Sequence, residues 1–216
     1  MLARHLPLSA GESVVIGLVV AVVVLVPLLS VPAEHFWRMT HEGAHALIAI
    51  ILGLTVTEII LDRHSNGRTS IAGEGLRVAL VVLIGYLGPS LFGLGAARLI
   101  SLGYPVTVLW LLVLLLLLML FMLGRSFGWF SVPVAIVLIY AILRYAHTRT
   151  EVIAAYAVAW LLLVSGVRAA AGRGIRAAEA DEPSRGIHLP GLLGSLVWTA
   201  GTLLALIVGG KLLVLG

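Results

Sequence analysis

The chain of 216 residues has no cysteine and few charged residues. Without cysteine there can be no disulfide, thiolate metal ligand or cysteine nucleophile, so any bound metal must be held by His, Asp or Glu. Charged residues make up 11% of the chain, whereas a soluble domain of this size carries about 25%. The net charge of +4 is small. The arginines lie between the apolar segments or near their ends, which indicates a role in membrane topology and anionic-lipid contacts and not a nucleic-acid surface.

Apolar segments occupy most of the chain, which is 61% hydrophobic with a mean hydropathy of +1.13. This composition predicts an all-α polytopic membrane protein with about six to seven transmembrane helices. We expect one transmembrane domain over residues 1–216. The apolar segments cover residues 13–31, 34–54, 76–100, 104–123, 127–145, 151–167 and 191–213.

Four of these segments have features beyond their hydropathy. The run at 13–31 is too long for the apolar part of a typical signal peptide, so we interpret it as a first transmembrane helix that stays attached. The fourth, fifth and sixth segments are tightly spaced, which suggests that one of them is tilted or re-entrant. The leucines at 111–118 are typical of a lipid-facing helix.

The second segment contains the motif HExxH as His41-Glu42-Gly43-Ala44-His45. On a helix, positions i and i+4 lie on one face, so both imidazoles can bind one metal ion. Glu42 lies about 100° round the helix, where a carboxylate can take a proton from a zinc-bound water. The alternative is a pair of helix-face histidines near a membrane interface with Glu42 as a solvated neighbour. Ionisable groups are costly in hydrocarbon unless they coordinate or pair.

A short β-hairpin is predicted directly after this helix. Residues 55–61 are rich in β-branched side chains and roughly alternating, Ser65-Asn66-Gly67 supplies a turn, and residues 68–71 can return as a second strand. We expect the hairpin to lie at the membrane surface and to project away from the helix. The distribution of arginines favours a cytoplasmic N-terminus. The hairpin and the polar stretch 168–190 then lie on the cytoplasmic side.

A catalytic zinc needs three protein ligands and an open position for water. Glu58, Asp62 and His64 lie in the predicted hairpin, where ordinary turn polarity explains them. The predicted topology puts His147 and Glu151 on the opposite face of the membrane. The acidic group at 179–182 is better placed, although a solvated patch that balances the nearby arginines is the alternative. The candidates for the third ligand are Glu58, Asp62, His64, His147, Glu151, Glu179, Asp181, Glu182 and His188.

The chain resembles the site-2-protease-like intramembrane zinc metalloproteases, in particular their short bacterial branch without a PDZ domain. The resemblance rests on the HExxH at 41–45, the hairpin-like segment with Gly67, and Gly-Tyr-Leu-Gly-Pro-Ser at 85–90. It covers about residues 33–95 and resumes weakly at 179–198. The resemblance implies a metal-site core at about 33–100 plus 168–213.

The resemblance also implies site residues and a substrate. Zn²⁺ would be held by His41, His45 and an Asp that the family usually follows with Gly. This chain has no Asp-Gly, so Asp181 is the nearest equivalent, with Glu179 as the alternative. Glu42 would be the general base and then the proton donor. The family often has an Asn shortly after the Gly-Pro element, whereas residues 90–93 are Ser-Leu-Phe-Gly.

The implied partners are a transmembrane protein substrate, such as an anti-sigma factor or a membrane-protein remnant, and the lipids of a bacterial inner membrane. The missing Asp-Gly and Asn favour a second hypothesis, a catalytically inactive relative that acts as a membrane binding or scaffold protein. A third hypothesis is a small transporter with the HExxH residues lining its pathway. It predicts further charges on the facing helices, and the third to sixth segments have few.

Overall fold

The computed structural model describes residues 5–61, 67–73, 75–177 and 191–216, without the side chains of 171–177 and 191–195. The predicted all-α polytopic fold with a small hairpin is confirmed. In the described part of the chain, the elements are α1 Ala10–Leu25, α2 Ser30–Ile51, β1 Thr55–Leu61, β2 Gly67–Ala72, α3 Leu76–Ser101, α4 Pro105–Leu120, α5 Gly128–Tyr145, α6 Thr148–Ala177 and α7 Gly191–Leu215.

Helices α1 and α2 meet at an angle of 96°. The break between them contains Pro27, which has no backbone N–H to continue a helix. Val26 before it adopts an extended conformation, as expected for a residue that precedes proline. The single helix predicted over residues 13–31 is therefore wrong, and the second helix begins at Ser30.

Among the described residues, four helices are long and apolar enough to cross a membrane, namely α3, α5, α6 and α7. The bent pair of α1 and α2 provides a fifth candidate span. Helix α4 is shorter, with 16 residues. We expected an irregular segment among the fourth to sixth helices. The sharp bend lies between the first and the second instead.

Helix α6 lies at the centre of the bundle and packs against α1, α3, α4 and α7. It continues about ten residues beyond the predicted end at 167, because the alanines at 169–171 favour a helix. The Arg168 guanidinium pairs with the Glu34 carboxylate at 2.8 Å and donates to the Val24 carbonyl oxygen. These contacts attach α6 to the bend between α1 and α2.

The hairpin pairs β1 and β2 antiparallel, with Thr55 opposite Ala72 and Leu61 opposite Gly67. Strand β1 also pairs with the linker between α4 and α5. The Ile59 N–H donates to the Met122 carbonyl oxygen, and the Gly124 N–H donates to that of Ile59, both at 2.8 Å. Strand β1 is therefore flanked on both sides. The predicted turn residues 62–66 lie outside the described residues.

Candidate metal centre

A stripe of aromatic rings along α2 forms the centre of the site. Trp37, His41 and His45 are spaced four residues apart, so they lie on one face of the helix. The Trp37 and His41 rings stack with their centroids 4.8 Å apart. His41 is 4% exposed and Glu42 is 3% exposed. The apolar helix thus holds a histidine and a carboxylate in the interior of the bundle.

The two histidines bring their Nε2 atoms close together. Their Nε2 atoms are 3.3 Å apart. Two nitrogens that bind one tetrahedral zinc ion at about 2.05 Å are separated by about 3.3 Å. The separation of the two nitrogens therefore matches that of two ligands of one metal ion.

The orientation of His45 is fixed from helix α3. Its Nδ1 lies 3.2 Å from the Val81 carbonyl oxygen, which can accept a hydrogen bond only if Nδ1 carries the proton. The lone pair is then on Nε2, the atom that faces His41. Metal-ligating histidines usually bond a carbonyl or carboxylate in this way.

Two glycines of α3 allow this close approach. A Cβ at Gly85 would overlap the His45 ring, and one at Gly88 would overlap the Ala44 side chain. Both belong to the Gly-Tyr-Leu-Gly-Pro-Ser segment, whose Pro89 lies inside the helix. The glycines therefore set how near α3 comes to the histidine helix.

The hairpin packs against Glu42 and does not project away from the helix as we expected. The Thr69 hydroxyl on β2 donates to the Glu42 carboxylate at 2.7 Å. A Cβ at Gly67 would overlap the same carboxylate. The expectation failed because the strand pattern does not show which surface the hairpin covers. The strand β2 therefore orients the carboxylate.

Helix α7 reaches the site through aromatic contacts. The Tyr86 ring lies 5.2 Å from that of His41 and 5.6 Å from that of His45, and the Trp198 ring lies 4.4 Å from Tyr86. Helix α7 runs parallel to α3, because Gly216 lies beside Ser101 while Trp198 lies beside Tyr86. Both helices therefore begin at the end of the bundle that carries the hairpin.

The start of α1 lies at the other end, where the His5 N–H donates to the Gly103 carbonyl oxygen just after α3. The expectation that the N-terminus and the hairpin share one side is therefore wrong.

The site lies inside the apolar part of the bundle. Gly85, which contacts His45, is nine residues after Leu76, or about 14 Å along α3. The hydrocarbon core of a bilayer is about 30 Å thick. When α3 crosses a bilayer, the histidines therefore lie near its middle.

Within the described ranges, no group of three His, Asp or Glu side chains is close enough to bind one metal ion. Glu58 is exposed and lies against Gly124. His147 and Glu151 lie at the start of α6, where Arg149 pairs with Glu12 at the opposite end of the bundle. The other candidates lie outside the described residues, namely Asp62, His64, Glu179, Asp181, Glu182 and His188.

Sequence reasoning missed four contact residues of the site. Trp37 lies one helical turn before His41, so its spacing could have identified it. Tyr86 is part of the Gly-Pro segment, but nothing in that segment indicated contact with the histidines. Thr69 and Trp198 come from elements far away in the sequence, and no local pattern identifies them.

One family model, described as Peptidase M50B-like, matches the chain over residues 14–209. Neither the curated proteins nor the solved structures include one that matches the chain. The matched range contains the HExxH helix, the hairpin, the Gly-Pro segment and most of α7. The chain belongs to the Peptidase M50B-like family, which implies an intramembrane metalloprotease.

Proposed function

We propose that this protein is an intramembrane zinc endopeptidase that cleaves transmembrane protein substrates. The observation that carries the proposal is the 3.3 Å separation of the His41 and His45 Nε2 atoms. The Val81 carbonyl, which selects the required tautomer of His45, supports it further. The depth of the site along α3 favours a substrate that is itself embedded in the membrane.

His41 and His45 supply two zinc ligands, and Asp181 is our choice for the third, with Glu179 as the alternative. The segment that contains both carboxylates follows the end of α6 and precedes the start of α7. Arg168 near the end of α6 pairs with Glu34 on the histidine helix, and Trp198 near the start of α7 contacts Tyr86. The helices on both sides of the segment thus contact the surroundings of the site.

Zinc held by these residues would supply the Lewis acid that activates water and polarises the scissile carbonyl. Glu42 accepts the proton of the attacking water and delivers it to the leaving amine nitrogen. Its carboxylate has the Thr69 hydroxyl on one oxygen, so its direction is fixed before substrate arrives. The proposal includes a bacterial plasma-membrane location with a cytoplasmic N-terminus. The chain acts as one transmembrane domain.

The test is the zinc content of detergent-purified protein, measured together with cleavage of a reporter whose transmembrane segment is weakened by Gly and Pro. The variants are His41→Ala and Glu42→Gln, with His147→Ala as the control at the other end of the bundle. We expect near-stoichiometric zinc in the wild type, Glu42→Gln and His147→Ala, and loss of zinc in His41→Ala. Glu42→Gln should lower cleavage about 10²–10⁴-fold.

Two outcomes would overturn the proposal. A folded wild type without zinc would leave a metal-free membrane scaffold as the better explanation. Cleavage by Glu42→Gln at the wild-type rate would remove Glu42 from the chemistry.

A further inference from the structure

A cavity of about 560 Å³ separates α3 from α4 on the outside of the bundle. Helix α6 forms its back wall through Val158 and Leu162, and α2 forms its floor through Thr40 and Leu47. Leu91, Leu111 and Leu114 at its rim are 46%, 50% and 52% exposed. The cavity is therefore a groove that opens sideways, towards the lipid when α3 crosses a bilayer.

The wall of this groove is apolar although Thr40 is part of it. The Thr40 hydroxyl donates to the carbonyl oxygens of Trp37 at 2.8 Å and Phe36 at 3.2 Å. Its hydrogen-bonding capacity is satisfied within its own helix. Thr40 therefore presents no free hydrogen-bond donor to the groove, which suits a hydrocarbon ligand.

The length of the groove distinguishes between two hydrocarbon ligands, a helix and an acyl chain. The α4 residues of the groove run from Val108 to Leu118, which is about 15 Å along the helix. This length is half of the hydrocarbon thickness of about 30 Å, which is the depth of one leaflet. An acyl chain of one leaflet therefore matches the groove, whereas a substrate helix that crosses the membrane would extend well beyond it.

One end of the groove carries a cation. Arg98 lines the groove in the last turn of α3, about 33 Å along the helix from Leu76. This length is close to the hydrocarbon thickness of about 30 Å, so Arg98 lies at the level of the lipid phosphates. Among the described residues, no carboxylate pairs with Arg98. A guanidinium at this level binds phosphate oxygens well.

We propose that this groove is a specific phospholipid site. The phosphate lies on Arg98, and an acyl chain runs along α4 to Thr40 and Leu47, at the middle of the bilayer. Since Thr40 directly precedes His41, the bound chain contacts the helix that carries the histidines. The proposal does not depend on zinc or on proteolysis.

Gly95 offers a way to fill the groove without disturbing the fold. It lines the groove, and a Cβ added there meets no atom within 4 Å. Replacing a helical glycine with leucine also favours the helix, by about 1 kcal/mol. Gly11 in α1 provides a matched control, because a Cβ there also meets no atom within 4 Å.

The test is native mass spectrometry of the full chain titrated with dipalmitoyl phosphatidylglycerol in mild detergent. We expect the wild type to retain one lipid and Gly95→Leu to bind it at least tenfold more weakly. Arg98→Gln should weaken binding about fivefold, equivalent to about 1 kcal/mol for one cation near phosphate. Gly11→Leu and Arg144→Gln, the latter in the last turn of α5, should bind as the wild type does.

Wild-type affinity in Gly95→Leu would overturn the proposal, and so would an equal loss in Gly11→Leu, which would indicate unspecific binding. If Gly95→Leu blocked reporter cleavage with its lipid affinity unchanged, the groove would belong to the substrate instead. Zinc content should stay the same in all these variants. Failure of the lipid site is therefore distinguishable from failure of the proposed peptidase.

Discussion

The Thr69 hydroxyl and the Glu42 carboxylate are 2.7 Å apart, which joins the edge of the hairpin to the middle of the HExxH motif. The same hydroxyl lies 3.3 Å from the Glu42 carbonyl oxygen. A strand residue 27 positions away thus holds the side chain to which we assign proton transfer.

We expect Thr69→Val to lower kcat for reporter cleavage about 10–100-fold, because a hydrogen bond to a charged group contributes about 1.5–3 kcal/mol. Zinc content and KM should change little, since the Thr69 hydroxyl bonds Glu42, which is not a proposed zinc ligand. Thr69→Ser keeps the hydroxyl and should recover most of the rate. A purely structural role for Thr69 would instead lower stability with kcat preserved in the folded fraction.

Gly85→Ala should weaken zinc binding about 10–100-fold, the range typical of disturbed groups that orient a metal ligand. The added Cβ overlaps the His45 ring and forces it away from the Val81 carbonyl. Competition with a zinc chelator measures the affinity. Gly95→Ala on the same helix is the control, because its Cβ meets no atom within 4 Å. Equal zinc affinity in the two variants would contradict the site as described.

The Arg168–Glu34 and Arg149–Glu12 pairs should differ in their effect on stability. Arg168 and Glu34 are 33% and 40% exposed, and Arg168 also donates to the Val24 carbonyl oxygen. We expect Arg168→Gln to lower the free energy of unfolding by about 1 kcal/mol. Arg149 is 75% exposed in its pair with Glu12, so Arg149→Gln should have no measurable effect. Thermal unfolding in detergent compares them, and a larger loss in Arg149→Gln would contradict this ranking.

Asp181→Ala should release zinc to the same extent as His41→Ala, whereas Glu182→Ala should retain it. The reason is that two histidines alone leave a tetrahedral zinc short of one protein ligand. Elemental analysis of the purified variants measures the difference. Zinc retained in Asp181→Ala and lost in Glu179→Ala would move the third ligand two residues towards α6.

The sequence predicted the elements whose pattern is local. The HExxH spacing placed both histidines on one helix face, and the alternation at 55–61 followed by Asn66-Gly67 predicted the hairpin. Both predictions rest on the fixed periods of helices and strands. The bend between α1 and α2 also has a local signal, Val26-Pro27, which our interpretation of the apolar run 13–31 did not use.

Contacts between distant elements could not be predicted in this way. The leucines at 111–118 show the difference, because Leu112 and Leu116 are buried whereas Leu111 and Leu114 are about half exposed. A run of identical residues has no polar face, so its sequence does not show which side meets the bundle. The groove beside α4 and the contact of Thr69 with Glu42 depend on such packing.

Helix α2 lies between the apolar groove on one side and the Glu42 carboxylate with its Thr69 hydrogen bond on the other. Thr40 and Leu47 face the apolar groove, and Glu42 lies about 140–160° round the helix from them, beneath the hairpin. Hydrocarbon conducts neither water nor protons. Water that reaches the proposed zinc site, and the protons that Glu42 exchanges, therefore cannot pass through the groove. The groove shields one face of α2 from water, and the hairpin covers the face that carries the Glu42 carboxylate.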